Sequence, residues 1–94
     1  MHQPTAKQAA QPINRLLRIN SVIDAMASPK PSIYAAIKRG EMTSPIKIGE
    51  RASAWLESEV IAINNARIAG KPADEIKMLV LELEAKRLTI GGAA

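Results

Sequence analysis

Hydrophobic side chains recur along the chain with two periods, that of a helix in four segments and that of a strand in one. The strand-like segment, residues 45–56, alternates apolar and polar side chains around a turn at Gly49 and Glu50, which predicts a small β-hairpin. Residues 13–19 are short and aliphatic, and they fit either a strand or a lead-in to the first helix. The helical segments are residues 21–27, 31–39, 57–69 and 73–88.

Prolines and a glycine set the limits of the first two helices. Asn20 and Ser21 are good N-cap residues and predict where the first helix starts. Pro29 and Pro31 exclude a helix interior between them, but both are tolerated within a first turn, so the second helix begins near Pro31. Gly40 fits the position just past its end. Two short helices joined by a tight turn form a helix-turn-helix pattern.

The length of the chain allows one small domain with tails, because two independent cores need more than its 94 residues. Hydrophobic residues make up 47% of the sequence but aromatic residues only 2%, so the core must consist of aliphatic side chains. The single tryptophan, Trp55, is expected to plug the core between the hairpin and the helices.

Several classes of function are excluded by residues that the chain lacks. Cysteine is absent, which excludes disulfides, thiolate catalysis and Cys-based metal sites. The one histidine, His2, has no companion for a zinc site or a catalytic triad, and no phosphate-loop or dinucleotide motif is present. No apolar run approaches the roughly 20 residues that span a bilayer, and the first residues lack the apolar region of a secretory signal. We therefore expect a cytoplasmic protein that is not an enzyme, holds no cofactor, takes no small-molecule substrate and binds no membrane.

The positive charge of the chain is concentrated in its middle. The formal net charge is +4 at pH 7. Residues 15–51 carry seven basic against three acidic side chains, whereas residues 52–94 carry five against six. A basic segment beside a balanced one suggests a half that binds a polyanion and a half that is structural or binds a partner.

The last helical segment has an apolar arc that is too wide for one neighbour. Met78, Leu81, Ala85 and Leu88 mark one side of it. Such an arc needs cover on more than one side, and in so short a chain a second copy could supply it. The alternative is that the helix folds back over its own domain. The side expected to mediate self-association carries Ile76, Leu79, Val80 and Leu83.

An ordered set of residues follows this pattern of elements and carries a resemblance. An Ile-Tyr pair lies in the second helix, which ends in glycine. A Pro-x-x-x-Gly hairpin, an arginine, an Ala-Trp strand end and a Glu-Val helix follow. This order resembles the AlpA-type phage and prophage regulators, which are related to excisionases and are small relatives of the MerR-type winged-helix domain. In this sequence the matching residues are Ile33, Tyr34, Gly40, Pro45, Gly49, Arg51, Ala54, Trp55, Glu59 and Val60.

The resemblance covers about residues 13–68, and it departs from the family pattern in the turn. Ala27 stands where the family turn has a glycine, and Pro29 stands where it has a capping serine. The resemblance implies a mainly α fold with a small β-hairpin, that is, a winged helix-turn-helix with an added C-terminal helix. It also implies sequence-specific binding of double-stranded DNA, in transcription regulation or in excision of a mobile element together with an integrase.

If the protein binds DNA in this way, specific side chains of the middle segment are expected to contact it. Lys30, Ser32 and Ala35 are expected at base edges of the major groove. Lys38 and Arg39 are expected at phosphates, and Tyr34 is expected to pack its ring on the core and offer its hydroxyl to a phosphate. The cationic hairpin tip is expected at the adjacent minor groove or backbone. The residues of the tip are Lys47 and Arg51, and Arg15 and Arg18 are expected as flanking backbone contacts.

The predicted organisation has four parts. Residues 1–12 form a flexible tail, residues 13–70 the winged helix-turn-helix domain, residues 71–90 the C-terminal helix and residues 91–94 a frayed tail. A protein-interaction adaptor or antitoxin-like module, docking a partner through the C-terminal helix, remains the alternative function.

Overall fold

A computed structural model describes residues 13–92 and contains four helices and a small three-stranded sheet. The expected tails at residues 1–12 and 93–94 lie outside the described residues. The mainly α architecture with a β-hairpin is confirmed, and it is that of a winged helix-turn-helix. In chain order the elements are β1 (Leu16–Leu17), α1 (Ile19–Met26), α2 (Lys30–Arg39), β2 (Ile46–Gly49), β3 (Ala52–Leu56), α3 (Glu57–Ile68) and α4 (Ala73–Gly92).

The sheet is antiparallel, with β3 in the centre between β1 and β2. The hairpin of β2 and β3 turns at Glu50 and Arg51. Its register shifts between Lys47 and Gly49, which leaves Ile48 as the extra residue of a β-bulge. The short aliphatic lead at residues 13–19 contains a strand, since Leu17 pairs with Trp55 of β3. The hairpin predicted from period-two alternation is therefore extended to three strands by a segment too short to show any period.

The turn between α1 and α2 is made without the residues that usually make it. The first helix starts at Ile19 with Arg18 at the N-cap, so the expected cap at Asn20 and Ser21 is wrong by two residues. Ala27 ends this helix in the left-handed conformation, with φ of 52°. Pro29 occupies the N-cap of α2. Since a proline side chain cannot accept a hydrogen bond there, the first-turn N–H groups of α2 have no side-chain cap.

The core lies between the helices and the inner face of the sheet. Trp55 is 1% exposed and packs with aliphatic side chains from all four helices, so the prediction of a core plug is confirmed. Its indole Nε1 donates to the backbone oxygen of Thr43 at 3.0 Å, which satisfies its only polar atom. The core members around it are Val22, Met26, Ile33, Ala36, Met42, Val60, Ile63, Ile76 and Val80.

Helix α4 folds back over its own domain, which corrects the expected surface for self-association. Ile76 and Val80 are buried in the core of the chain, and Leu79 and Leu83 pack against that core. Apolar periodicity marked this side correctly as one that needs cover, but the cover comes from α3 and the loop before β2 rather than from a second copy. The helix also runs to Gly92 and so includes two residues expected in a frayed tail.

A buried ion pair attaches the C-terminal half of α4. The guanidinium of Arg87 donates from Nε and Nη2 to the two carboxylate oxygens of Glu59 at 2.8 Å and 2.7 Å. Glu59 is only 2% exposed. The hydrogen bonds that Arg87 donates to Glu59 raise the pKa of Arg87 above its ordinary value, against the opposing effect of burial. Arg87 is therefore positively charged beside the Glu59 carboxylate.

The strained turn generates a stability prediction. Ala27→Gly is expected to raise the free energy of unfolding by about 1 kcal/mol, because a left-handed alanine costs about 1–2 kcal/mol and glycine adopts this conformation freely. The control is Ala25→Gly, an exposed position inside α1, where the same change should lower it by roughly 0.5–1 kcal/mol. Urea denaturation of both variants checks the sign. Equal losses for the two would contradict the left-handed conformation at Ala27.

Candidate nucleic-acid interface

The outer side of α2 is exposed along its whole length. Ile33 and Ala36 point into the core, and with 3.6 residues per turn the opposite side carries Pro31, Ala35 and Lys38, all exposed. Pro31 lies in the first turn, where its missing N–H leaves no helical bond unmade. The helix is therefore held by one side and presents a narrow, mostly small-residue ridge with a lysine at its end.

The inner face of the hairpin carries a second lysine. Lys47 pairs with Ser53, and cross-strand partners point to the same side of a sheet. Ser53 is two residues from Trp55, so both side chains share that side as well. Lys47 thus projects from the face that holds Trp55, further towards the tip. Its Nζ donates to the backbone oxygen of Glu50 at 3.2 Å and steadies the turn.

Two aromatic rings join these two surfaces. Tyr34 of α2 and Trp55 of β3 lie with ring centroids 6.1 Å apart and planes at 76°, an edge-to-face contact. Tyr34 is 41% exposed, so its ring packs on the core while part of it reaches solvent, as expected. Lys38 follows Tyr34 by one helical turn on the same side of α2. The contact therefore joins α2, which carries Lys38, to the hairpin face that carries Lys47.

The other predicted contact residues are all exposed but differ in their surroundings. Lys30 and Ser32 lie in the first turn of α2, Arg51 lies at the hairpin turn and Arg18 lies just before α1. Within residues 13–92, none of the three cations among them forms an ion pair. Their positive charge is therefore free to meet an anion.

Two of the predicted cations are partly neutralised. Arg39 lies on the flank of α2 away from the hairpin and forms an ion pair with Glu41 at 3.3 Å. Arg15 lies 3.7 Å from a carboxylate oxygen of Glu57. Exposed pairs of this kind are weak and exchange readily with other partners. We therefore rank these two arginines behind Lys38, Lys47 and Arg51 as sites for phosphate.

Three residues of α4 contact the end of α2 or the loop that follows it, and sequence periodicity did not predict these contacts. The side chain of Lys77 lies beside Gly40, at the C-terminal end of α2, where it adds an exposed cation. Glu84 and Arg87 bind the loop that joins α2 to the hairpin. These three contacts link residues 37 to 43 positions apart in the sequence, and no local period reports such distances. The position of Arg87 on the apolar side of α4 was the one available signal for a buried acidic partner.

A cluster of metal ligands and a membrane-spanning helix are both absent from the described part of the chain. No group of three or more metal-ligating side chains occurs within residues 13–92. None of its helices is long and apolar enough to cross a membrane. Helix α2 and the hairpin both carry exposed cationic side chains, which suit electrostatic and hydrogen-bonding contact with a polyanion.

Comparison with known proteins yields a family match and a similar phage protein. The sequence model of a family described as Prophage CP4-57 regulatory protein (AlpA) matches residues 15–63. The protein named Uncharacterized protein ORF88 of Enterobacteria phage P4 is 37% identical over 57 residues, covering 61% of this chain. The match covers 65% of that protein, so this chain spans less than two thirds of its length. No solved structure matches the chain.

The family match has a clear position in the fold. It runs from β1 through both helices of the turn and the hairpin into α3, and it ends before α4. It therefore includes α2, the hairpin and the aromatic contact between them. Because the match covers more than half of the chain, this protein belongs to the AlpA family of prophage regulatory proteins.

Proposed function

We propose that this protein is a sequence-specific, double-stranded DNA-binding regulator of a mobile element. The observation that supports the proposal is the Tyr34–Trp55 contact, since it connects α2, which carries Lys38, to the face of the hairpin that carries Lys47. The membership in a family of phage regulators supports it. A regulator of this kind acts on DNA in the bacterial cytoplasm, at the nucleoid, and by binding rather than by catalysis.

In the proposed complex, α2 lies in the major groove. Its exposed ridge is narrow, and only small side chains, Pro31 and Ala35, stand between the helix axis and the bases. Lys30 and Ser32 in the first turn meet base edges, where Ser32 pairs with donors or acceptors alike and Lys30 favours guanine. Lys38 meets a phosphate at the other end of the helix. Specificity and affinity thus come from opposite ends of one ten-residue helix.

The hairpin grips the flanking DNA in this proposal. Lys47 and Arg51 face the adjacent backbone or minor groove, and arginine is favoured where that groove is narrow. The turn is fixed by the bond from Lys47 to Glu50, so the tip loses little freedom on binding. With about five phosphate contacts in one copy, affinity should be moderate and strongly dependent on salt.

Regulation of transcription is the task that the family description favours. The same binding mode would serve excision, in which several copies bend the DNA beside an integrase. Footprinting on the DNA next to the gene and at any integrase attachment site separates the two tasks, because only the second predicts protection at the attachment site.

The charge of Lys38 provides the test of the proposed interface. Titration of labelled duplex at several salt concentrations should show that Lys38→Glu weakens binding to all sequences and lowers the salt slope by at least about one. The matched control is Lys86→Glu, an exposed position on α4, which changes the net charge equally. Wild-type binding that ignores salt, or equal losses in the two variants, would contradict the proposal.

The first turn of α2 should behave differently from its last. Ser32→Ala is expected to change which duplexes are preferred in a selection from a random pool, with little change in the salt slope, because a hydroxyl carries no charge. A loss that is uniform across sequences would place base readout elsewhere.

The proposal retains self-association, but through the opposite side of α4. Met78, Leu81, Ala85 and Leu88 are exposed, and their 3-4-3 spacing reads the same in both directions. An antiparallel second copy therefore sets Met78 against its Leu88, which is the self-complementary contact of a two-fold dimer. Paired copies would double the number of phosphate contacts and read two half-sites.

This dimer has a direct test. Leu81→Glu should abolish concentration-dependent association in sedimentation velocity and remove cooperativity in DNA titration, since it buries charge in the contact. Ile68→Glu, at an exposed apolar position on α3, is the control and should leave both unchanged. A wild-type chain that stays monomeric at high concentration and binds DNA without cooperativity would contradict the dimer. If Leu81 is instead required for association with a host or phage protein, the alternative function as a protein-interaction adaptor replaces the proposed dimer.

A further inference from the structure

The loop between α2 and β2 is held by side chains of α4. Glu84 accepts a hydrogen bond from the backbone N–H of Ser44 at 2.8 Å. Arg87 donates to the backbone oxygen of the same residue at 2.7 Å. Both backbone polar groups of one loop residue are thus bound by one helix, in charge-assisted bonds of short length.

This loop determines where the hairpin stands relative to α2. It begins after Gly40, the C-cap of α2, and ends two residues after Ser44 at Ile46, the first residue of β2. At its start, the N–H of Glu41 donates to Ala36 of α2 at 2.8 Å. A displacement of Ser44 would therefore move the beginning of β2, and with it the adjacent Lys47, relative to a fixed α2.

The holding groups are themselves fixed. Arg87 is bound through two nitrogens to Glu59 of α3, and Ile76 and Val80 anchor α4 in the core. The middle of the loop is pinned from the other side by the bond from Trp55 to Thr43. Ser44 is thus held in place relative to α3 and the core, and not only by its neighbours in the chain.

The part of α4 that carries these groups lies on the other side of the sheet from Lys47. A cavity of about 250 Å³ there is lined by Arg87, Ile90, Ile46 and Leu56. Ile46 is the neighbour of Lys47 in β2 and therefore points to the opposite face. Side chains at this end of α4 accordingly act on the hairpin from behind the proposed DNA-binding face.

We propose that Glu84 and Arg87 are positioning residues for DNA binding, which fix the hairpin beside α2 through Ser44 without touching DNA. This inference rests on the proposed function. Helix α4 lies beyond the family match, so neither the family description nor the named relative assigns it this role.

Glu84 is more informative than Arg87, because loss of its charge and loss of its hydrogen bond are expected to change the affinity for DNA in opposite directions. Removal of a carboxylate raises the net charge and, by electrostatics alone, strengthens binding to a polyanion. Removal of a positioning bond weakens it. We therefore expect Glu84→Ala to weaken binding to DNA, whereas removal of a carboxylate that contributes only its charge would strengthen it.

The experiment compares Glu84→Ala with two controls in the full chain. Glu84→Gln keeps an oxygen for the Ser44 N–H while it loses the charge, and Glu82→Ala removes an exposed carboxylate from the same helix. The probe is the duplex that the wild-type chain prefers in selection from a random pool. Affinity is measured at a temperature at which all variants are folded, and amide hydrogen exchange at Ser44 reports the bond itself.

We expect Glu84→Ala to weaken binding by about threefold to tenfold, equivalent to roughly 0.7–1.4 kcal/mol, and to speed exchange at Ser44. Glu84→Gln and Glu82→Ala should bind as well as the wild type or better, with slow exchange at Ser44. Equal affinity for the two alanine variants, or unchanged exchange in Glu84→Ala, would overturn the inference while wild-type binding stands. A wild-type chain that binds no duplex would instead overturn the proposed function, and this inference with it.

Discussion

The ion pair between Arg87 and Glu59 is the constraint on which the arrangement of this protein depends. A carboxylate as buried as that of Glu59 is tolerated only with a charged partner, and loss of one member of such a pair costs about 3–5 kcal/mol. Helix α4 therefore cannot detach without leaving a charge unpaired in the core. Since small domains are stable by only about 5–15 kcal/mol, that cost is large, and it makes α4 a part of the domain rather than an appendage.

The same arginine links stability to the proposed function. One of its nitrogens serves both Glu59 and the backbone of Ser44, so the core and the loop before the hairpin share a single donor. On the other side of the sheet, Trp55 repeats this arrangement with Tyr34 and Thr43. Arg87 on one side of the sheet and Trp55 on the other thus hold α2 and the hairpin in position. Neither of these two side chains belongs to the proposed DNA-binding surface.

The sequence predicted the helices and the hairpin well, but it predicted poorly which surfaces of them pack together. The apolar period, together with the prolines and glycines that bound the elements, predicted α2, the hairpin and the burial of Trp55. Each of these features leaves a local signal in the order of its residues. The first cap was wrong because the backbone of Arg18, not a side chain, begins α1. The surface for self-association was wrong for a different reason. Periodicity shows which sides of α4 need cover, but Ile76 and Val80 are covered by residues distant in sequence, and only the charge of Arg87 among apolar neighbours hinted at this.

In the proposed complex, α2 and the inner face of the hairpin form one DNA-binding surface, and α4 supports this surface from behind. The most direct measurement is the change in backbone amide NMR shifts when the preferred duplex is added to the isotope-labelled chain. We expect large changes at residues 30–39 and 47–51, and small ones at residues 84–90 of α4. Large changes centred on residues 78–88, with residues 30–39 unaffected, would contradict it.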